Sequence, residues 1–297
     1  MCKPAHVATV RETAIGFPCG DEQLIGVLSL PTRPESDAGV LVIVGGPQYR
    51  VGSHRQFVQL ARAIAAAGFP VMRFDYRGMG DSLGPQRNFE NITEDIASAI
   101  DAFAEHLPGL RRIVLWGLCD GASAALLYLH DAQKPDPRIA GLCLLNPWVR
   151  SDASLARTHV RHYYLRRLRQ RDFWVKLLRG AVALQALRDL AANLRAAFGG
   201  AAGSAGTRQP LPYQQRMASA WASFAGPVLL LLSEHDYTAR EFIDVSRSDP
   251  LWRRALGRRP ATTVLLAGAD HTCSQPSARS TVERTTIKWL ARHGHSV

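Results

Sequence analysis

The chain has 297 residues, of which 46% are apolar and 21% charged. That length suits one large α/β unit, and the composition excludes disorder, collagen and a disulfide scaffold as descriptions of the whole. With 36 basic and 25 acidic side chains the formal charge is +11, a surplus that can steer anionic substrates, anionic lipid or nucleic acid without choosing among them.

Cys2, Cys19, Cys119, Cys143 and Cys273 are scattered and include no C-x-x-C pair. They suggest neither a disulfide framework nor a zinc ribbon, and they predict a reducing compartment. The opening MCKPAHVATVRETAIG lacks the apolar core of a signal peptide. No window reaches the roughly 18 unbroken apolar residues of a spanning helix. A soluble, cytoplasmic protein is expected.

Two early apolar stretches, 7–15 and 23–30, flank the turn-like Gly20-Asp21 and predict an antiparallel strand pair. The run GVLVIV (39–44) is continuous and β-branched, as in a strand buried on both faces of a parallel sheet. A helix over 54–67 follows and ends at Gly68. Strands are then expected at 69–74, 111–116, 138–145, 228–232 and 262–266, with helices at 91–106, 120–131 and 277–293. Asn91 and Glu94 suggest a capping box for the helix at 91. The alternation predicts a mostly parallel central sheet flanked by helices.

The middle of the chain interrupts that alternation. Between Arg150 and Gly226 there are twelve Arg and one Lys against Asp152, Asp172 and Asp189, so most of the net charge lies here. Residues 153–195 read helically, with Tyr163, Tyr164, Phe173 and Trp174 among arginines, and GGAAGSAGTRQ (199–209) is low in complexity. The expected organisation is a core over 1–150 and 227–297 with an inserted helical cap over 151–226. Arg166, Arg167 and Arg169 are its candidate contacts to an anionic substrate or membrane surface. A solvated basic face is the competing reading. RNP, zinc-finger and basic-zipper signatures are missing, so no nucleic-acid partner is expected.

Gly117-Leu118-Cys119-Asp120-Gly121 joins a predicted strand to a predicted helix. It is the nucleophile-elbow pattern G-x-S-x-G with Cys in place of Ser. A helix N-terminus favours a thiolate, and Asp120 partly opposes that. An earlier strand runs into Gly45-Gly46-Pro47-Gln48, so the N–H of Gly46, or else of Gln48, can join that of Asp120 in an oxyanion hole. Pro47 has no N–H to offer. Downstream, Asp236 and His271 each fall just past a predicted strand, in the order nucleophile, acid, base. The reading is a Cys119–His271–Asp236 triad in which His271 takes the thiol proton and Asp236 holds the imidazole. His235, Asp244 and Asp249 compete with Asp236. The run Asp75 to Ser82 reads as a structural turn with Arg77 pairing locally. Cys143 reads as core and Cys273 as a bystander. Neither a Walker loop nor a G-x-G-x-x-G after a strand occurs, and no metal or other cofactor is expected.

With these residues in place the chain resembles an α/β-hydrolase, and more closely the exosortase A system-associated hydrolase 1 family. The resemblance rests on GGPQYRVGSHRQF (45–57), FDYRGMGDS (74–82), LWGLCDGASAAL (115–126), RDFWVKLL (171–178) and the Asp236 and His271 segments. It implies a serine-aminopeptidase-like hydrolase linked to exopolysaccharide synthesis and exosortase-type sorting. The cysteine also resembles dienelactone hydrolases, which lack so large a cap. The expected activity is hydrolysis of an ester or thioester, the substrate being a small or lipid-linked acyl compound. Acyl transfer by the same triad, or an inactive fold that docks on a membrane or partner, are the alternatives.

Overall fold

A computed structural model describes residues 10–32, 36–46, 48–132, 134–150 and 211–293. The expected antiparallel pair is present as β1 (Arg11–Cys19) and β2 (Glu22–Leu30), joined through Gly20-Asp21 with Cys19 opposite Glu22. Then come β3 (Ala38–Ile43), α1 (Gln56–Ala66), β4 (Val71–Asp75), α2 (Thr93–His106), β5 (Arg112–Leu118), α3 (Asp120–Asp131) and β6 (Ile139–Leu145). Beyond residue 210 follow α4 (Tyr213–Ser223), β7 (Val228–Ser233), α5 (Tyr237–Ser248), α6 (Pro250–Arg258), β8 (Thr262–Leu266) and α7 (Pro276–His293).

The eight strands form one sheet in the order β1-β2-β4-β3-β5-β6-β7-β8. Only β2 runs against its neighbours, and the six strands from β4 to β8 are parallel. The continuous apolar run of β3 has its reason here. Leu41 and Ile43 pack into the layer holding α2, α3 and α4, while Val40 and Val42 pack into the layer holding α1 and α7. A strand covered on both faces needs apolar side chains at every position. This is the α/β-hydrolase fold that the sequence predicts.

Some expectations meet a different outcome. The capping box at Asn91 does not form: Ile92 precedes α2 without a side-chain cap, Glu94 pairs with Arg77, and Asn91 donates to Asn88. Arg77 pairs with Asp95 and Glu94 on α2 and not within its own turn. Part of the range assigned to the cap belongs to the core, since α4 buries Met217, Ala218, Ala220 and Trp221 against it. The rest of the range expected to form a cap lies outside the described residues, including the basic aromatic run, Arg166, Arg167, Arg169 and the Gly/Ala-rich stretch. Among the described residues no helix is long and apolar enough to cross a membrane.

Trp252 of α6 is the centre of an aromatic cluster, with Phe242 of α5 at 5.2 Å and Trp221 of α4 at 5.9 Å, both edge-on. Trp252→Ala empties this junction and is expected to lower unfolding stability by about 3–5 kcal/mol. Leu265→Ser, at a position 61% exposed on β8, should stay within about 0.5 kcal/mol. Urea denaturation of both variants measures the contrast.

Candidate active site

The turn from β5 into α3 is fixed by contact distances. A Cβ at position 117 would lie 2.4 Å from the Gly121 carbonyl carbon, and one at 121 would lie 2.4 Å from the Ile43 oxygen. Glycine is therefore required on either side of Cys119. Cys119 itself has φ 59° and ψ −123°, a conformation that costs a non-glycine residue on the order of 1–3 kcal/mol. Its N–H bonds to the Leu145 oxygen at 2.9 Å, and its carbonyl accepts from Ala122, Ser123 and Trp148. These bonds over-determine the strained residue, which lines a cavity of about 320 Å³. The cavity opens past the C-terminal ends of the parallel strands, where open α/β sheets place their ligands.

His271 lines the same cavity, as do Gly46, Gln48, Phe57, Phe89 and Trp148. Its Nδ1 lies 2.9 Å from Asp236 Oδ2. Asp236 is buried at the N-cap of α5, where Thr238 N–H at 3.1 Å and Ala239 N–H at 3.3 Å donate to its two oxygens. A carboxylate so placed accepts the proton of Nδ1–H, which leaves Nε2 as the free lone pair of a neutral imidazole. Of the competitors, Asp249 caps α6 instead, and the backbone N–H of the exposed His235 donates to the Ala269 oxygen.

The hydrogen bond from His271 to Asp236 raises the histidine above its ordinary 6.5 against the opposing effect of burial. Burial first, and then the charge of Asp120, push the Cys119 thiol up to about 12. Desolvation and the neighbouring carboxylate thus outweigh the pull of the helix end toward a thiolate. The expected oxyanion donor also has a different partner. Gly46 N–H donates to Asp120 Oδ2 at 2.6 Å, and Gly121 N–H to Asp120 Oδ1 at 3.1 Å. Gln48 lines the cavity and its side-chain oxygen accepts from Ser53 at 3.4 Å.

Several supporting residues carry no motif of their own. Asn146, fully buried after β6 with φ 48°, exchanges side-chain hydrogen bonds with Ser233 and reaches the His271 carbonyl at 3.4 Å. It ties the end of β6 to the loops that carry Asp236 and His271. Arg50 bonds through backbone N–H and guanidinium to the buried Asp75, and its guanidinium also reaches Asp81, which anchors the loop after Gly46. An Asn or Asp at or just past the end of an apolar strand is the signal that would have found Asp75 and Asn146. Cys143 and Cys273 are both buried, and burial raises both thiols. Among the described residues no group of three or more His, Cys, Asp or Glu is arranged to hold a metal ion. A larger hollow of about 560 Å³ at the opposite end of the sheet, beside Leu30, Pro70 and Leu110, has no cysteine or histidine in its lining.

Residues 36–277 match the family described as serine aminopeptidase, S33. Over 116 residues the chain is 31% identical to human Protein ABHD12B, a match covering 38% of this chain and 31% of that protein. It thus spans about a third of that relative's length. The Pyrococcus furiosus esterase Pf2001 superposes with a TM-score of 0.61 at 16% identity, over 96% of this chain and 91% of that one. Dienelactone hydrolase from Anabaena variabilis gives 0.57 at 14% identity over 96% and 99%. Proline iminopeptidase from Mycobacterium smegmatis gives 0.56 at 16% identity over 95% and 99%. Likeness at such identity establishes the fold.

A base of this kind works only when neutral, so activity should fall as pH drops through a midpoint above 6.5, the ordinary histidine value. Asp236→Asn removes the interaction that raises it. The acid limb of the pH–rate profile should then move to lower pH, with the plateau rate reduced roughly 100- to 10,000-fold. An acid limb that stays in place in the variant would exclude the pairing as the origin of that limb.

Proposed function

The chain belongs to the serine aminopeptidase S33 family and is a hydrolase of the α/β-hydrolase type; from that premise we propose that it cleaves carboxylic esters or thioesters through an acyl-Cys119 intermediate. The observation that carries this reading is the Asp236–His271 pair, 2.9 Å apart, opening on the cavity that Cys119 lines from a strained elbow. The esterase among its structural neighbours supports the choice of substrate class.

Because the thiol is neutral at physiological pH, the chemistry starts with proton removal. His271 Nε2 takes the Cys119 proton as sulfur attacks the acyl carbon, and the carbonyl oxygen becomes an oxyanion. Collapse breaks the bond to the leaving alkoxide or thiolate, which receives the proton from His271. Water then gives a proton to His271 and attacks the thioester, releasing the carboxylic acid and restoring the thiol. Esters and thioesters suit this sequence, whereas an amide needs its amine protonated before it can leave. Cysteine in place of the serine of the family's name argues in the same direction.

The surplus of arginine over 150–226 supports an anionic or lipid-linked acyl substrate, or contact with an anionic membrane surface. The GGPQYRVGSHRQF and GLCDGASA runs support an exosortase A system-associated role in exopolysaccharide metabolism. Acyl transfer to an alcohol or amine uses the same residues wherever such an acceptor replaces water.

Steady-state rates on p-nitrophenyl acyl esters, acyl thioesters and aminoacyl p-nitroanilides test the proposal. Turnover of the first two is expected, at least about 100-fold above the anilide, and its loss in Cys119→Ala. Ester turnover that survives Cys119→Ala, or preference for the anilide, would overturn it.

A further inference from the structure

The Asp120 side chain lies where the oxyanion of the proposed reaction must form. Its Oδ2 accepts from Gly46 N–H at 2.6 Å and its Oδ1 from Gly121 N–H at 3.1 Å. Room for this carboxylate exists only because residue 45 is glycine, since a Cβ there would lie 1.9 Å from Asp120 Oδ1. The Gly46 N–H, a donor that the acyl oxyanion of the proposed reaction would use, is thus taken directly.

The Gly46 peptide has further anchors besides Asp120. Its carbonyl accepts from Tyr76 Oη at 3.3 Å, and the loop beyond it is tied to Asp75 through Arg50. Gly46 thus has a hold besides the Asp120 carboxylate.

We propose that Asp120 competes with the substrate carbonyl for the oxyanion donors, so that an acyl group is activated only after displacing this carboxylate from Gly46 N–H. The proposal rests on acyl transfer to Cys119 and adds to it a residue that decides which carbonyls react. Small activated esters, which bring little binding energy from outside the reacting centre, then acylate slowly. A substrate held along the rest of the cavity spends that remote binding energy on the displacement.

Two probes of Cys119 separate this role from the effect of Asp120 charge on the thiol. Acylation by p-nitrophenyl acetate, followed as single-turnover p-nitrophenolate release with enzyme in excess, develops an oxyanion. Alkylation by iodoacetamide needs only the sulfur. Asp120→Ala is expected to speed acylation by roughly ten- to a hundredfold more than it speeds alkylation, the scale of one hydrogen bond to a charged group. Asp120→Asn, neutral but still able to accept from Gly46 N–H, should speed alkylation while acylation lags behind the alanine variant.

Equal acceleration of both probes in Asp120→Ala would overturn the proposal and reduce Asp120 to a charge beside the thiol. Slower acylation in a variant with unchanged circular dichroism would overturn it as well, making Asp120 a pin for the Gly46 loop. Should Asp120→Ala not fold, equal acceleration of both probes in Asp120→Asn would overturn the proposal in the same way. Release of p-nitrophenolate that is unaltered in Cys119→Ala would instead remove the underlying reading, and this proposal with it.

Discussion

The site depends on how tightly the first turn of α3 is pressed against the ends of β3 and β5. Gly121 lies so near the Ile43 carbonyl, and Gly117 so near Gly121, that no Cβ fits at either place. At that approach Cys119 has a positive φ, and its side chain lines the cavity. It also brings the Asp120 side chain beside Gly45 and Gly46 at the end of β3. One steric constraint therefore sets the Cys119 elbow, the Gly46 N–H and the Asp120 carboxylate that accepts from it.

The acid and base come from elsewhere in the sheet, and polar contacts bring them to the same place. Asp236 is both the N-cap of α5 and the partner of His271, so helix start and imidazole orientation are determined together. Asn146 connects β6, β7 and the His271 loop through buried hydrogen bonds. The electrostatic result is asymmetric. The thiol is held neutral by burial and by Asp120, and the histidine is drawn up by Asp236. In the proposed reaction such a pair works by proton transfer during attack and not from a preformed thiolate and imidazolium.

The sheet was legible because its strands obey strong rules. A continuous run such as 39–44 has few other uses, and the glycine-flanked cysteine gains its meaning from the strand before it, the helix after it and the downstream Asp236 and His271 segments. Helices α5 and α6 were not legible, because each buries only a few large side chains, chiefly Phe242 and Trp252, beneath a charged exterior. The basic composition around 150–226 hid α4, whose core contacts rest on Met217 and Trp221. Glu94 left the capping box for Arg77 because pairing across elements outweighed a local cap. At the site, residue types and chain order pointed to Cys119, Asp236 and His271. The hydrogen bond from Gly46 to Asp120 was beyond reach, since it depends on side-chain direction across two loops.

The claim at the centre of this account is that the acyl group is carried on the sulfur of Cys119. Peptide mapping by tandem mass spectrometry of wild-type protein, acid-quenched during turnover of an acyl thioester, tests it most directly. The account predicts acylation at Cys119, removable by hydroxylamine, with Cys19, Cys143, Cys273 and Ser123 unmodified. An acyl group on Ser123 or Cys273, or rapid turnover with an unmodified Cys119 throughout, would contradict it.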